Sequence, residues 1–188
     1  MEQQQYTRSK NSKRVLDMAL VAVFVAVMAV CAWISIPAPV DFTLQVFAVF
    51  AAVLILGGKR GTVAVVVYIL LGAVGVPVFA HFTGGLGSLL GSTGGYIVGF
   101  LFIALVMWAG ERLLGEKLWV RIVSMVLGLA LCYAFGTAWF MVVYARTTGA
   151  IGLLTALGWC VFPFIPFDLL KMALAIALSQ VLRPHVPR

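Results

Sequence analysis

Charge is what this chain lacks most. Only 10% of its 188 residues are Asp, Glu, Lys or Arg, and only six of those are acidic, while 63% are hydrophobic. A soluble domain carries roughly 25% charged and about 45–50% apolar residues, so a water-exposed globule is excluded. Cysteine is also sparse. Cys31, Cys132 and Cys160 are far apart, show no C-x-x-C or Cys/His ligand spacing, and read as small core residues. No G-K-[ST] follows any glycine cluster, which excludes a phosphate loop and with it ATP hydrolysis by this chain. Neither G-x-S-x-G nor H-E-x-x-H occurs, which leaves a hydrolase without its usual nucleophile or metal set. The net charge of +7 comes from short basic clusters between apolar runs, without interleaved aromatics to stack bases, so no nucleic-acid partner is expected.

What is present is hydrophobic length, and it extends over the whole chain. The run from Val15 to Ile36 is too long for a signal peptide and lacks an A-x-A-like site. It suits a helix crossing about 30 Å of hydrocarbon, with Pro37 and Pro39 stopping it. Further spans are expected at 44–56 and 62–72 (both short), 94–109, 120–144 and 166–182. Between them lie a polar or re-entrant stretch at 37–45, a tight basic turn at 57–61, and a glycine-rich segment at 80–96. A charged turn at 110–121 and a polar connection at 146–160 complete the chain. The fold class expected is an all-α membrane protein with six transmembrane helices and both termini cytoplasmic. A basic segment 1–14 precedes the membrane domain 15–183, and a tail 184–188 follows it.

Charge tests the span count. With six spans, eleven basic residues fall on one side: Arg8, Lys10, Lys13, Arg14, Lys59, Arg60, Arg112, Lys117, Arg121, Arg183 and Arg188. Arg146 falls on the other, and Lys171 lies near that boundary. The positive-inside rule then makes the termini cytoplasmic and turns the 37–45 loop, the glycine-rich segment and the start of the last span outward.

Within that frame "FPFIPFDLLK" (162–171) is the main anomaly. Asp168 and Lys171, three residues apart, project from one helix face. An ionisable residue in a span costs roughly 2.5–3.5 kcal/mol on insertion scales, so it usually faces a protein interior or a watery cavity. Two readings follow: an ion pair in the first helical turn, favoured by the helix dipole, or a small binding site near the outer surface. The glycine-rich segment is either a close-packed loop or a backbone lid for a ligand, with His81, Phe82 and Tyr96 as its polar and aromatic members. In the first span Ala22 and Ala26 form A-x-x-x-A, a spacing that lets another helix approach.

Three stretches, "PAPVDFTLQVF" (37–47), "GVPVFAHFTGGLGSLLGSTGGYIVGF" (75–100) and "PFIPFDLLK" (163–171), resemble the BioY family of biotin transporters. These are the substrate-binding (S) components of energy-coupling factor (ECF) transporters. Departures from the common pattern are Gly91-Ser92-Thr93 where the family reads G-P-T, and Phe167 where it has glycine. The resemblance implies a multi-pass protein of the cell membrane that captures biotin from outside. Biotin is then the substrate, with no cofactor. Its partners would be a transmembrane coupling protein and two cytoplasmic ATPases. Asp168 would accept a ureido N–H and Lys171 would neutralise charge on Asp168 or on the valerate. Phe42, Phe79, Phe82 and Tyr96 would wall the bicycle, Gly94 and Gly95 would allow close backbone approach, and His81 would add a polar contact. Ala22 and Ala26 would form the docking surface for the coupling protein. The alternatives are another vitamin-like solute, a stand-alone carrier, or a membrane enzyme.

Overall fold

The computed structural model describes residues 2–38 and 40–187, with side chains from Asn11 onward. The expected stop at Pro39, the charges of Arg8, Lys10 and Arg188, and Met1 lie outside the described residues. Helix α1 (Glu2–Trp33) runs without a break from the basic segment into the first apolar run. A two-residue antiparallel ladder follows, β1 (Ser35–Ile36) with β2 (Phe42–Thr43), pairing Ser35 with Thr43 and Ile36 with Phe42. Then come α2 (Gln45–Leu56), α3 (Gly58–Ala73), a 3₁₀ turn (Ala80–Phe82) and α4 (Leu86–Leu90). The rest is α5 (Gly94–Leu114), α6 (Leu118–Thr147), α7 (Leu153–Cys160), α8 (Ile165–Leu182) and a final 3₁₀ turn (Arg183–His185).

A helix is found at each of the six expected apolar runs, and among the described residues four stretches are long and apolar enough to cross a membrane: Asn11–Trp33, Gly94–Leu114, Leu118–Thr147 and Ile165–His185. Their outer faces carry large exposed apolar residues, such as Val23 and Val27 on α1 and Val126 and Leu127 on α6, as lipid-facing surface requires. The connections are tighter than their composition suggests. The basic turn at 57–61 shrinks to Gly57, whose φ of +84° few other residues adopt, so Lys59 and Arg60 already belong to α3. The charged turn at 110–121 shrinks likewise, because α5 continues to Leu114 and α6 begins at Leu118. The glycine-rich segment is not a continuous loop, since it contains a 3₁₀ turn, α4 and the start of α5. The connection at 146–160 contains α7.

Helix α2 explains where space arises inside the bundle. It has 12 residues, about 18 Å at 1.5 Å per residue, well short of a hydrocarbon core of about 30 Å. It is apolar on all sides, and Ala48, Val49, Phe50 and Ala52 are fully buried, because α1, α3, α5 and α8 surround it. A central helix this short leaves the bundle unfilled beyond its N-terminus. Gln45 and Val46, at that end, line an internal cavity.

Candidate functional site

The cavity beyond α2 holds about 280 Å³. Its walls come from the β1–β2 segment, the 79–83 turn, the 88–93 segment, and helices α5, α6, α7 and α8. Asp168 and Lys171 lie on its α8 side. Pro166 sits in the first turn of α8, where its missing N–H is harmless, and Asp168 follows on the same turn. Both charged side chains are buried, 2% and 6% exposed, with Lys171 Nζ 2.7 Å from Asp168 Oδ1. The second carboxylate oxygen, Oδ2, accepts a short hydrogen bond from the Tyr133 hydroxyl on α6. Lys171 also lies over the Phe42 ring, 4.7 Å from its centroid, a cation–π contact. Phe42 is held by Phe164, stacked at 4.9 Å, and by Phe167, edge-on at 4.7 Å.

The acid and base are therefore not a simple ion pair at a helix end. They form a braced unit of Tyr133, Asp168, Lys171 and Phe42, drawn from two helices, α6 and α8, and the β2 strand. Each carboxylate oxygen has two acceptor sites and one protein partner, so Asp168 keeps accepting capacity on its cavity side. Burial of this charge makes each added hydrogen bond to it stronger than at a surface.

The wall at the α2 N-terminus is polar by a different route. Gln45 donates from Nε2 to Tyr68 Oη at 2.6 Å, and Tyr68 donates to the Val78 carbonyl at 2.8 Å. Thr43 Oγ1 donates to Gln45 Oε1 at 3.0 Å. This chain fixes the Gln45 amide at the cavity edge and buries Tyr68 against Phe79, which lines the cavity. Tyr96, also lining, shares a 2.8 Å hydrogen bond with Thr137. At the rim, His81 Nε2 is 3.1 Å from Asp41 Oδ1 and Nδ1 is 3.4 Å from Ser35 Oγ. His81 and Phe82 both adopt positive φ, 55° and 56°. Backbone strain of this kind persists where the surroundings hold it, and here the His81 contacts and the Trp33–Phe82 stack at 4.8 Å do so.

The structure thus brings Asp168, Lys171, His81, Phe79 and Tyr96 to one cavity. Phe82 is 63% exposed and stacked on Trp33, beside the turn that lines the cavity rather than among its lining residues. Gly94 and Gly95 are closely packed by protein neighbours. A Cβ at Gly94 would lie 1.8 Å from the Leu89 carbonyl oxygen, and one at Gly95 would lie 2.3 Å from Trp139 Cβ. Phe42 supports Lys171 from behind. Sequence reading missed Tyr133, Gln45, Thr43 and Asp41. Tyr133 is a phenol in an apolar span, and such a hydroxyl needs a partner when buried. All three cysteines are buried free thiols. Cys132 and Cys160 also border the cavity, and burial holds the Cys160 thiol above its ordinary value despite a hydrogen bond to Tyr96 that lowers it. Ala22 and Ala26 are exposed on α1, whereas Ala29 is buried.

The model of the BioY family matches residues 3–188. Curated relatives include a biotin transporter BioY of Thermotoga maritima, 44% identical over 168 residues, covering 86% of this chain and 92% of that one. A probable biotin transporter BioY of Pyrococcus horikoshii is 39% identical over 168 residues, covering 89% and 96%. Among solved structures, the crystal structure of an S-component for biotin from an ECF-type ABC transporter matches with a TM-score of 0.79 and 27% identity. It covers 93% of this chain and 94% of that one.

Proposed function

The chain belongs to the BioY family, and on that premise we propose that it is the membrane-embedded biotin-binding S component of an ECF transporter. It is a binding and transport subunit, not an enzyme. The observation that carries the site assignment is the braced Asp168, a buried carboxylate with unused acceptor capacity facing a small cavity. A cyclic urea offers two N–H donors and one carbonyl acceptor. Asp168 accepts one ureido N–H, the Gln45–Thr43 edge offers polar groups across the cavity, and Phe79 and Tyr96 contact the bicycle. The 2.7 Å contact supports Lys171 as the counter-charge of Asp168 rather than of the valerate.

In our reading six helices lie in the plasma membrane, with residues 15–183 as the membrane domain and 1–14 and 184–188 cytoplasmic. Ionic contacts at one end support it. Arg60 pairs with Asp17 at 2.7 Å and donates to the Pro187 carbonyl at 2.6 Å, and Arg183 pairs with Glu116 at 2.9 Å. The α1 start, the α2–α3 and α5–α6 turns and the C-terminus thus share one basic end, and the cavity opens towards the other. The positive-inside rule supports reading the basic end as the cytoplasmic one. A coupling protein docks along Ala22 and Ala26, and two ATPases supply the energy.

The test is equilibrium binding of radiolabelled biotin to the detergent-solubilised protein, with unlabelled vitamins as competitors. Saturable binding displaced by biotin alone is expected. Absence of saturable binding, or stronger displacement by another solute, overturns the assignment.

A further inference from the structure

At the basic end lies a second, larger depression of about 760 Å³, between α1, the α2–α3 junction and the end of α5. Its long wall is apolar, with Met18, Val21, Val63, Val67 and Trp108 along it. Its end wall is ionic. The carboxylates there are already engaged: Asp17 with Arg60 at 2.7 Å, Glu111 with the Gly58 N–H and with Arg183 at 3.4 Å, and Glu116 with Arg183 at 2.9 Å. Lys59 and Arg112 also line the depression and are exposed. Among the described residues, neither is given a hydrogen bond or ion pair by any other side chain.

An apolar trough that ends in two uncommitted cations suits an amphiphile. A water-soluble anion would leave the trough walls unmatched, and a neutral hydrocarbon would leave the cations unmatched. We propose that this trough is a site for one anionic glycerophospholipid. Its phosphate sits between Lys59 and Arg112, where the guanidinium can hold two oxygens at once. One acyl chain lies along Val21, Val63, Val67 and Trp108. The proposal rests on this end lying at a membrane–water boundary and is independent of what the inner cavity binds. Charge near an anionic leaflet adds attraction for each cation, so a preference of roughly tenfold over a zwitterionic lipid is expected from two cations.

Native mass spectrometry of the full-length protein in detergent tests this, with phosphatidylglycerol and phosphatidylcholine of distinct chain mass supplied in equal amounts. The wild type is expected to retain one phosphatidylglycerol in roughly tenfold preference, and millimolar glycerol 3-phosphate should not displace it. The Lys59→Ala/Arg112→Ala variant should lose the preference, while Lys13→Ala/Arg14→Ala, which removes as much charge, should keep it. Val63→Trp should exclude both lipids from the trough with the melting temperature unchanged. Equal retention of the two lipids by the wild type overturns the proposal. So does a preference that survives in the double Lys59/Arg112 variant or disappears in the Lys13/Arg14 control, or displacement by glycerol 3-phosphate.

Discussion

Tyr133 is the residue on which the Asp168 carboxylate turns. It reaches Oδ2 from 35 positions upstream, while Lys171 takes Oδ1 from the same helix. Tyr133→Phe keeps the ring and removes the donor. A hydrogen bond to a charged group contributes about 1.5–3 kcal/mol, so biotin affinity should fall at least tenfold in a filter-binding assay, with helicity by circular dichroism unchanged. Lys171→Ala should do more, because it leaves a buried carboxylate without its counter-charge. Breaking such a pair costs about 3–5 kcal/mol, so the melting temperature should drop along with affinity. The i, i+3 spacing made the Asp168–Lys171 contact legible from sequence. The Tyr133 brace was not, because nothing local marks which turn of α6 faces α8. Phe42 was placed near the site from its motif, but its role under the Lys171 ammonium depends on the β1–β2 ladder, too short to read from sequence pattern.

At the scale of elements, α5 and α6 pack through interlocked small and aromatic residues. A Cβ at Gly136 on α6 would lie 2.3 Å from the Tyr96 ring on α5, and one at Gly95 on α5 would lie 2.3 Å from Trp139 on α6. Close helix approach in a membrane relies on such positions. Gly136→Val should push Tyr96 from Thr137 into the cavity. Overpacking of this kind costs about 1–3 kcal/mol, so a lower melting temperature and weaker biotin binding are expected together, measured by thermal shift with and without biotin. Hydrophobic length located a helix at each of the six expected apolar runs, including the short α2 and α3, and four of the described helices are long and apolar enough to cross a membrane. The consequence of a short α2 was not, because sequence alone does not say that it is the helix enclosed by the others. The glycines at 94 and 95 illustrate the same limit. Glycine marks close approach, but whether a ligand, a loop or a tryptophan approaches is decided by tertiary packing.

For the whole molecule, the two ends divide the work. One end holds the cavity with Asp168 and Lys171, and the other gathers Arg60, Arg183 and their carboxylate partners. The expected polarity of the chain rested on the sorting of its basic residues, since each turn contributes its own charges. Docking belongs to this scale. Ala22 and Ala26 are exposed on α1, and replacing both by leucine should prevent close helix approach. Co-purification with the coupling protein should be lost while biotin binding by the isolated protein is retained; unchanged co-purification would place the docking surface elsewhere.

The central claim is that biotin is held in the inner cavity by the braced carboxylate. Calorimetric titration of biotin into the purified protein, beside its Asp168→Asn variant, tests it most directly. The account predicts one biotin per chain in the wild type and binding weakened by a factor of ten or more in the variant, as the loss of a charged acceptor implies. Equal affinity in the two proteins would contradict it.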